Sequence, residues 1–287
     1  MNYRLLAMDV DGTLLGPGRG LSRRTLRALH RAREHGLEYT LVTGRQWAEA
    51  EVVVRRLDLK VPVVCQNGAH ILDPVTRHDY YHERISLDVA LAITGALDQA
   101  GVIYYHYIDQ EVLVRRPLAR HLLWGHVWPP RSLAGWAAWF RWLWESRRYM
   151  RILPVDDLAG ALRRGEKGPS GITAWDGAPA AVATLPPELQ RQVTVVQNNR
   201  HSWNITPACV SKEIGLARLA EMLGLAPAQV VAVGDSYNDI PMLRWAGLGV
   251  AMGNAPPEVK AAATAVTAGN GEDGVAALVD RLINEGD

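Results

Sequence analysis

Several things are scarce in this sequence, and each scarcity excludes a class of protein. Cysteine occurs twice, at Cys65 and Cys209, too few and too far apart for a disulfide scaffold; two reduced thiols in a cytoplasmic protein are expected. No apolar run approaches the ~20 residues that span a bilayer. The N-terminal stretch MNYRLLAMDVDGTLL has no long apolar run and no small-residue cleavage site, so neither a signal peptide nor a membrane partner is expected. Net charge is almost absent at +1. With no recognisable binding motif, nucleic acid is not indicated as a partner. Gly (26) and Pro (16) are aperiodic, which excludes collagen-like and low-complexity chains. Phe occurs once against ten Trp, and Lys four times against 27 Arg, so the position of each Lys is informative.

What remains is a 287-residue chain, 48% hydrophobic, long enough for one large domain or two ordinary ones. Its first part alternates short apolar runs with amphipathic segments. Tyr3–Met8 reads as a buried strand ending in Asp9 and Asp11. Ser22 is placed to cap a helix reaching His35, with Gly36 as its terminator. A strand over Glu38–Val42 ends in Thr43-Gly44-Arg45, and one over Val61–Cys65 ends in Gln66-Asn67-Gly68. Strands alternating with helices define a parallel α/β sheet, whose ligands sit beyond the carboxyl ends of the strands.

The pattern changes near His82. A helix over Ile85–Ala100 and a hairpin of Val102–Ile108 with Glu111–Arg115 are followed by a Trp- and Arg-rich stretch and further short strands. This mixed pattern predicts a separate α+β domain, residues 83–203, inserted into an α/β domain formed by 1–82 and 204–287. The parallel pattern returns with a helix from Lys212 to about Leu223. Strand Val230–Val233 ends in Gly234-Asp235, and a helix over Ile240–Trp245 and a strand over Gly249–Met252 follow.

Two segments carry the chemistry. Asp9-Val10-Asp11-Gly12-Thr13 follows one strand, and Gly234-Asp235-Ser236-Tyr237-Asn238-Asp239 follows another. If both strands share a sheet, four carboxylates converge at one edge and require a cation; hard oxygen ligands favour Mg²⁺. A carboxylate beside such an ion can attack an electrophile, and a second can protonate the leaving oxygen. Thr43 and Lys212 are candidates to neutralise a transferring phosphoryl group. Each piece alone reads as a turn, a strand exit, a helix cap or a surface charge. Their joint occurrence at strand ends is what points to chemistry.

At these residues the sequence resembles the haloacid dehalogenase-like (HAD) phosphohydrolases, specifically Cof-type members of subclass IIB with a C2B cap. LLAMDVDGTLL, LVTGR, VSKEIGLARL and VVAVGDSYNDIPML correspond in order to the family's four motifs; VVCQNGA and AGLGVAMGNAPPEVKAAA also resemble this subgroup. The resemblance implies a Rossmann-like core with an inserted cap between Asn67 and Lys212. It implies Asp9 as the nucleophile that becomes an aspartyl-phosphate and Asp11 as the general acid/base. Phosphate or substrate would be bound by Thr43, Gly44, Arg45, Asn67, Lys212 and Asn238. Mg²⁺ would be held by Asp9, Asp11 through its backbone carbonyl, and Asp235, with Asp239 helping nearby or through water.

The expected activity is therefore hydrolysis of a small phosphorylated metabolite, a sugar phosphate or similar. The alternatives are a phosphotransferase or phosphomutase on the same scaffold, or a non-catalytic phosphometabolite-binding protein. The inserted segment is basic, and within 115–151 eight Arg face one Glu. Trp136, Trp139, Phe140 and Leu143 fall on one helical face, which reads as cap packing, a cap-mediated homodimer contact, or a ring-stacking pocket; otherwise a monomer is expected. His78 and His82 have no Cys or carboxylate at ligand spacing and read as a hydrated hinge segment.

Overall fold

The computed structural model describes residues 2–16, 20–109, 111–116, 118, 151–199 and 201–284. It divides into two units. The first comprises residues 1–45, 53–81 and 211–287, the second 46–52 and 82–210.

The first unit is built on runs too apolar to leave either face in water. Its strands are β1 (Leu5–Met8), β2 (Glu38–Leu41), a short antiparallel sheet of β3 (Val63–Cys65), β4 (His70–Leu72) and β5 (Asp79–His82), and late in the chain β12 (Val230–Gly234), β13 (Leu248–Ala251) and β14 (Ala265–Val266). β1 and β12 are buried at every position, as all-parallel strands covered on both faces must be. The main sheet is parallel throughout, in the order β14-β13-β12-β1-β2. The order reverses at β1, flanked by β12 and β2, and that crevice is where open α/β sheets bind ligands. Met8 is level with Val233 on one side and Leu41 on the other. Asp9, Gly234-Asp235 and the residues after Leu41 therefore leave the sheet at the same edge.

The helix Arg23–Glu34 shows how sequence fixes its ends. Ser22 accepts from the Thr25 N–H at 3.0 Å, and Gly36 takes φ +80 just past the other end. Thr25, Ala28, Leu29 and Ala32 form its buried stripe; Leu29→Ala would cost about 2–5 kcal/mol. Likewise Ser211 caps the helix Lys212–Met222, accepting from Ile214 N–H at 3.1 Å, and places Lys212 in its first turn.

The second unit contains β6 (Tyr104–Ile108), β7 (Glu111–Arg115), β8 (Arg151–Val155), β9 (Gly171–Trp175), β10 (Val193–Asn199) and β11 (Ser202–Pro207). They form one sheet in the order β10-β11-β9-β6-β7-β8, antiparallel except for β7 with β8. Alternate residues divide between its faces. Tyr104, Leu113, Ile172, Ala174 and Ile205 pack with the helices Leu87–Gln99, Leu158–Gly165 and Ala178–Ala183. Tyr105, Tyr107, Val112 and Val114 cluster on the other face.

This unit extends to Val210, past the boundary read at residue 203, because β11 continues to Pro207 and pairs along its length with β10. Residues 46–52, expected in the first domain, group with the second unit. The face formed by Trp136, Trp139, Phe140 and Leu143 lies outside the described residues. Asp79, next to His78 in sequence, instead faces His70, its Oδ1 2.6 Å from His70 Nε2; His78 stacks edge-on against Tyr80.

Candidate active site

The site begins where β1 ends. Asp9 is buried, its backbone N–H bonded to the Val233 carbonyl of β12 at 3.0 Å. Its Oδ1 accepts from Lys212 Nζ at 2.7 Å, and the same ammonium donates to Asp239 Oδ1 at 2.6 Å. The other oxygen of Asp239 accepts the backbone N–H groups of Asp235 and Ser236, both at 2.9 Å. Asp239 thus anchors both Lys212 and its own turn.

Charge in this cluster is finely opposed. Burial pushes the Asp9 carboxyl upward, Lys212 pulls it down, and Asp239 and Asp11 push it up again, for a net rise. Burial alone would depress Lys212, but Asp239 and Asp9 together hold its proton more tightly than usual. Burial also pushes Asp235 up to about 6, against the hydrogen bond it accepts from Thr13 Oγ1 at 2.8 Å.

Asp11 behaves differently. Its side chain remains 62% exposed, yet it is gripped by Arg45 through Nε to Oδ2 at 2.7 Å and Nη2 to Oδ1 at 2.6 Å. Desolvation works against its charge, but the guanidinium prevails and holds the carboxyl below its usual range. Arg45, expected to bind substrate, here binds the carboxylate expected to act as acid.

The remaining expected residues arrive from neighbouring loops. Thr43 is buried after β2; its Oγ1 accepts from the Arg45 N–H at 3.1 Å, so its own proton is available to a further acceptor. Gly44 is half-buried between them. Asn67 is buried with φ +53, and its Oδ1 accepts from Asn238 Nδ2 at 3.0 Å. Gly68 makes this approach feasible. It takes φ +100, and a Cβ there would lie 2.1 Å from the Ser211 carbonyl oxygen. Bare backbone at Gly68 lets the Asn67 turn pack onto the start of the Lys212 helix.

The structure thus brings Asp9, Lys212, Asp239 and Asp235 into one cluster, pairs Asp11 with Arg45 and pairs Asn67 with Asn238. Sequence reasoning missed Thr13 as a partner of Asp235, although it stands in the same segment as Asp9 and Asp11. The special place of Gly12 was also missed: it has φ +87, and a Cβ there would lie 2.2 Å from Asp235 Oδ2.

Asp9, Asp235 and Asp239 each place an oxygen within 4.8 Å of the others. Asp9 and Asp235 have the most capacity for a cation, while Asp239, which already accepts three hydrogen bonds, retains one acceptor position. Two crowded carboxylates, both raised by burial, are an all-oxygen set that fits a hard divalent ion such as Mg²⁺. Among the described residues no donor is bonded to Asp9 Oδ2, which leaves that oxygen for chemistry.

A buried carboxylate with one oxygen held by a lysine, beside an exposed carboxylate and amide donors, is an arrangement suited to phosphoryl transfer. A family model for haloacid dehalogenase-like hydrolases matches residues 6–127 and 178–279, and the chain belongs to that family. It is 31% identical to the stress response protein YhaX of Bacillus subtilis over 284 residues, covering 97% of this chain and 93% of that one. Pyridoxal phosphate phosphatase YbhA of Escherichia coli is 29% identical over 298 residues, covering 97% and 98%. A solved haloacid dehalogenase-like hydrolase from B. subtilis superposes with a TM-score of 0.81 at 28% identity, covering 98% of this chain and all (100%) of the other. The chain is an enzyme of this phosphatase class.

Proposed function

We propose that the protein is a Mg²⁺-dependent phosphomonoester hydrolase that acts on a small phosphorylated metabolite, a sugar phosphate or similar, through an aspartyl-phosphate on Asp9. The observation that carries this reading is the Lys212 bridge, which holds one oxygen of Asp9 while the other has no donor among the described residues. Asp9 Oδ2 attacks phosphorus, the ester P–O bond breaks, and Asp11 gives a proton to the departing oxygen. Asp11 then takes a proton from water as the water oxygen attacks the phosphorus carried by Asp9. Inorganic phosphate leaves and the carboxylate is restored.

Lys212 offsets the charge carried by Asp9 through both steps, while Thr43, Asn67 and Asn238 supply hydrogen bonds to the phosphoryl oxygens. Asp9 and Asp235 would hold the metal, with the Asp11 carbonyl. When bound, Mg²⁺ would screen these carboxylates and draw negative charge from the transferring phosphoryl group. The second unit serves as the cap that selects the substrate. Relatives named as phosphatases of pyridoxal phosphate and of 5-amino-6-(5-phospho-D-ribitylamino)uracil support a small phosphorylated metabolite. A cytoplasmic location is part of the proposal; no described helix is long and apolar enough to cross a membrane.

Phosphate release from an aryl phosphate, with and without Mg²⁺, tests this reading. Release should need the metal and should vanish in Asp9→Asn. Metal-independent release, or an unaffected variant, would overturn it.

A further inference from the structure

Two asparagines with no role in the mechanism above brace the turn that carries Asp11. Asn254, in the loop after β13, donates from Nδ2 to the Gly12 carbonyl at 2.9 Å and accepts on Oδ1 from the Asn270 backbone N–H at 2.9 Å. Asn270, just before the helix Gly274–Asn284, donates from its own Nδ2 to the Leu15 carbonyl at 3.1 Å. Two carbonyls of one turn are thus held by side chains from two other loops, and those loops are tied to each other. The partners of these bonds are 242 and 255 residues apart, so neither is a local turn contact.

The turn needs outside support. Its own bonds run from Gly12 N–H to Leu15 O at 3.2 Å, and from Leu14 and Leu15 N–H to Val10 O at 3.1 and 2.9 Å. None of them uses the Gly12 carbonyl. Glycine is the residue least able to hold its own dihedrals, and this one lies hard against the Asp235 carboxylate. Thr13, the other side of the same peptide, donates to Asp235. Rotation of the Gly12–Thr13 peptide would therefore disturb Asp235 at two points, and Asn254 is the side chain that holds it.

We propose that Asn254, locked in turn by Asn270, is a positioning residue for the cation side of the site. It sets the spacing between the Asp11–Gly12 backbone and Asp235 that a divalent ion requires. The inference rests on the Mg²⁺ reading above. Groups behind the ligands of a metal commonly govern its affinity by 10–100-fold, and Asn254 stands in that relation to Asp235 without touching it.

Calorimetric titration of Mg²⁺ into the full-length protein tests this, alongside amide hydrogen exchange over residues 12–15. Asn254→Ala should raise the Mg²⁺ dissociation constant about tenfold and speed exchange in the turn. Asn254→Asp keeps the size and the acceptor for Asn270 but replaces the donor aimed at Gly12, so it should do the same without opening a cavity. Asn270→Ala keeps the backbone N–H that Asn254 accepts and removes only the Nδ2 bond to the Leu15 carbonyl, so alone it should speed exchange in the turn while changing Mg²⁺ affinity less than Asn254→Ala does. If the wild type binds Mg²⁺ and Asn254→Asp binds it equally well, the positioning role is overturned. If the wild type itself binds no Mg²⁺, the metal reading falls and takes this inference with it.

Discussion

Arg45 holds Asp11 at both carboxylate oxygens, at 2.7 and 2.6 Å, with the Asp11 side chain still largely open to solvent. This two-point grip fixes the plane of the carboxyl as well as its charge. In the proposed mechanism Asp11 first donates and then accepts a proton; the grip keeps it oriented and favours the ionised form that the second of those steps uses. Substrate would meet an acid/base already aimed, restrained by a group six atoms long rather than by a rigid wall.

Arg45→Gln should release that restraint. Asp11 is held below its usual range by the guanidinium, so removing the cation moves its pKa upward. In the proposed mechanism the water-attack step uses ionised Asp11, so with that step limiting turnover the acid limb of the kcat–pH profile should shift to higher pH. The maximal rate should fall about tenfold, within the range expected for impaired acid/base catalysis. Arg45→Lys retains the charge but loses the two-point geometry, and should fall between. An unmoved acid limb would contradict the assigned role.

Gly12→Ala should impair the reaction while leaving the protein folded. The new methyl would lie 2.2 Å from Asp235 Oδ2, on a residue with φ +87. Backbone strain of this kind costs about 1–3 kcal/mol, and a shift of about 1 Å in a reacting group costs roughly 100-fold in rate. Steady-state phosphate release and urea denaturation of the same sample separate the two effects.

Lys212→Met should lower stability at neutral pH by about 3–5 kcal/mol, the usual cost of leaving buried charge unpaired. Asp9 and Asp239 would then face each other without the ammonium that joins them. Protonating Asp9, whose carboxyl is raised by burial, removes the repulsion, so the deficit should shrink as pH falls. Urea denaturation of wild type and variant at several pH values checks both the size and the trend.

His106 gives the second unit its own acid sensitivity. It is fully buried, and burial lowers its pKa to about 3. Thr94 Oγ1 donates to the Ala90 carbonyl at 2.7 Å and so accepts from His106 Nε2 at 3.1 Å, leaving Nδ1 without a partner among the described residues. A proton on Nδ1 would find no acceptor. The unfolded chain takes up this proton near the ordinary histidine pKa, so stability should begin to fall as pH drops through about 6.5, with about 2 kcal/mol lost by pH 5. His106→Gln should flatten that part of the stability profile; an unchanged slope would contradict it.

How much of this was legible in the sequence depends on how far apart the interacting groups lie. The ends of β1, β2 and β12 could be read because apolar runs stop abruptly at Asp9, Thr43 and Asp235. Ser22 and Ser211 act within four residues of themselves, and the Ser22 cap was readable for that reason. The scarcity of Lys made Lys212 conspicuous, but not that Asp239 anchors it with one oxygen while holding two backbone N–H groups with the other. Arg45 stands out in the LVTGR segment as a candidate substrate-binding residue, but its grip on Asp11 depends on a side-chain direction that no spacing encodes. Asn254 and Asn270 find their partners across almost the whole chain, and asparagine in a loop carries no periodic signal. The alternation Ser202-Trp203-Asn204-Ile205-Thr206 did carry one, and following it would have carried the boundary past residue 203.

In the proposed mechanism the phosphoryl group passes through Asp9. Acid quenching of the enzyme during turnover of a phosphomonoester with Mg²⁺, followed by peptide mass mapping, tests it most directly. A phosphoryl group should be found on the peptide carrying Asp9 and be absent from Asp9→Asn. Sustained turnover with no protein-bound phosphoryl group, or with one on another residue, would contradict the account.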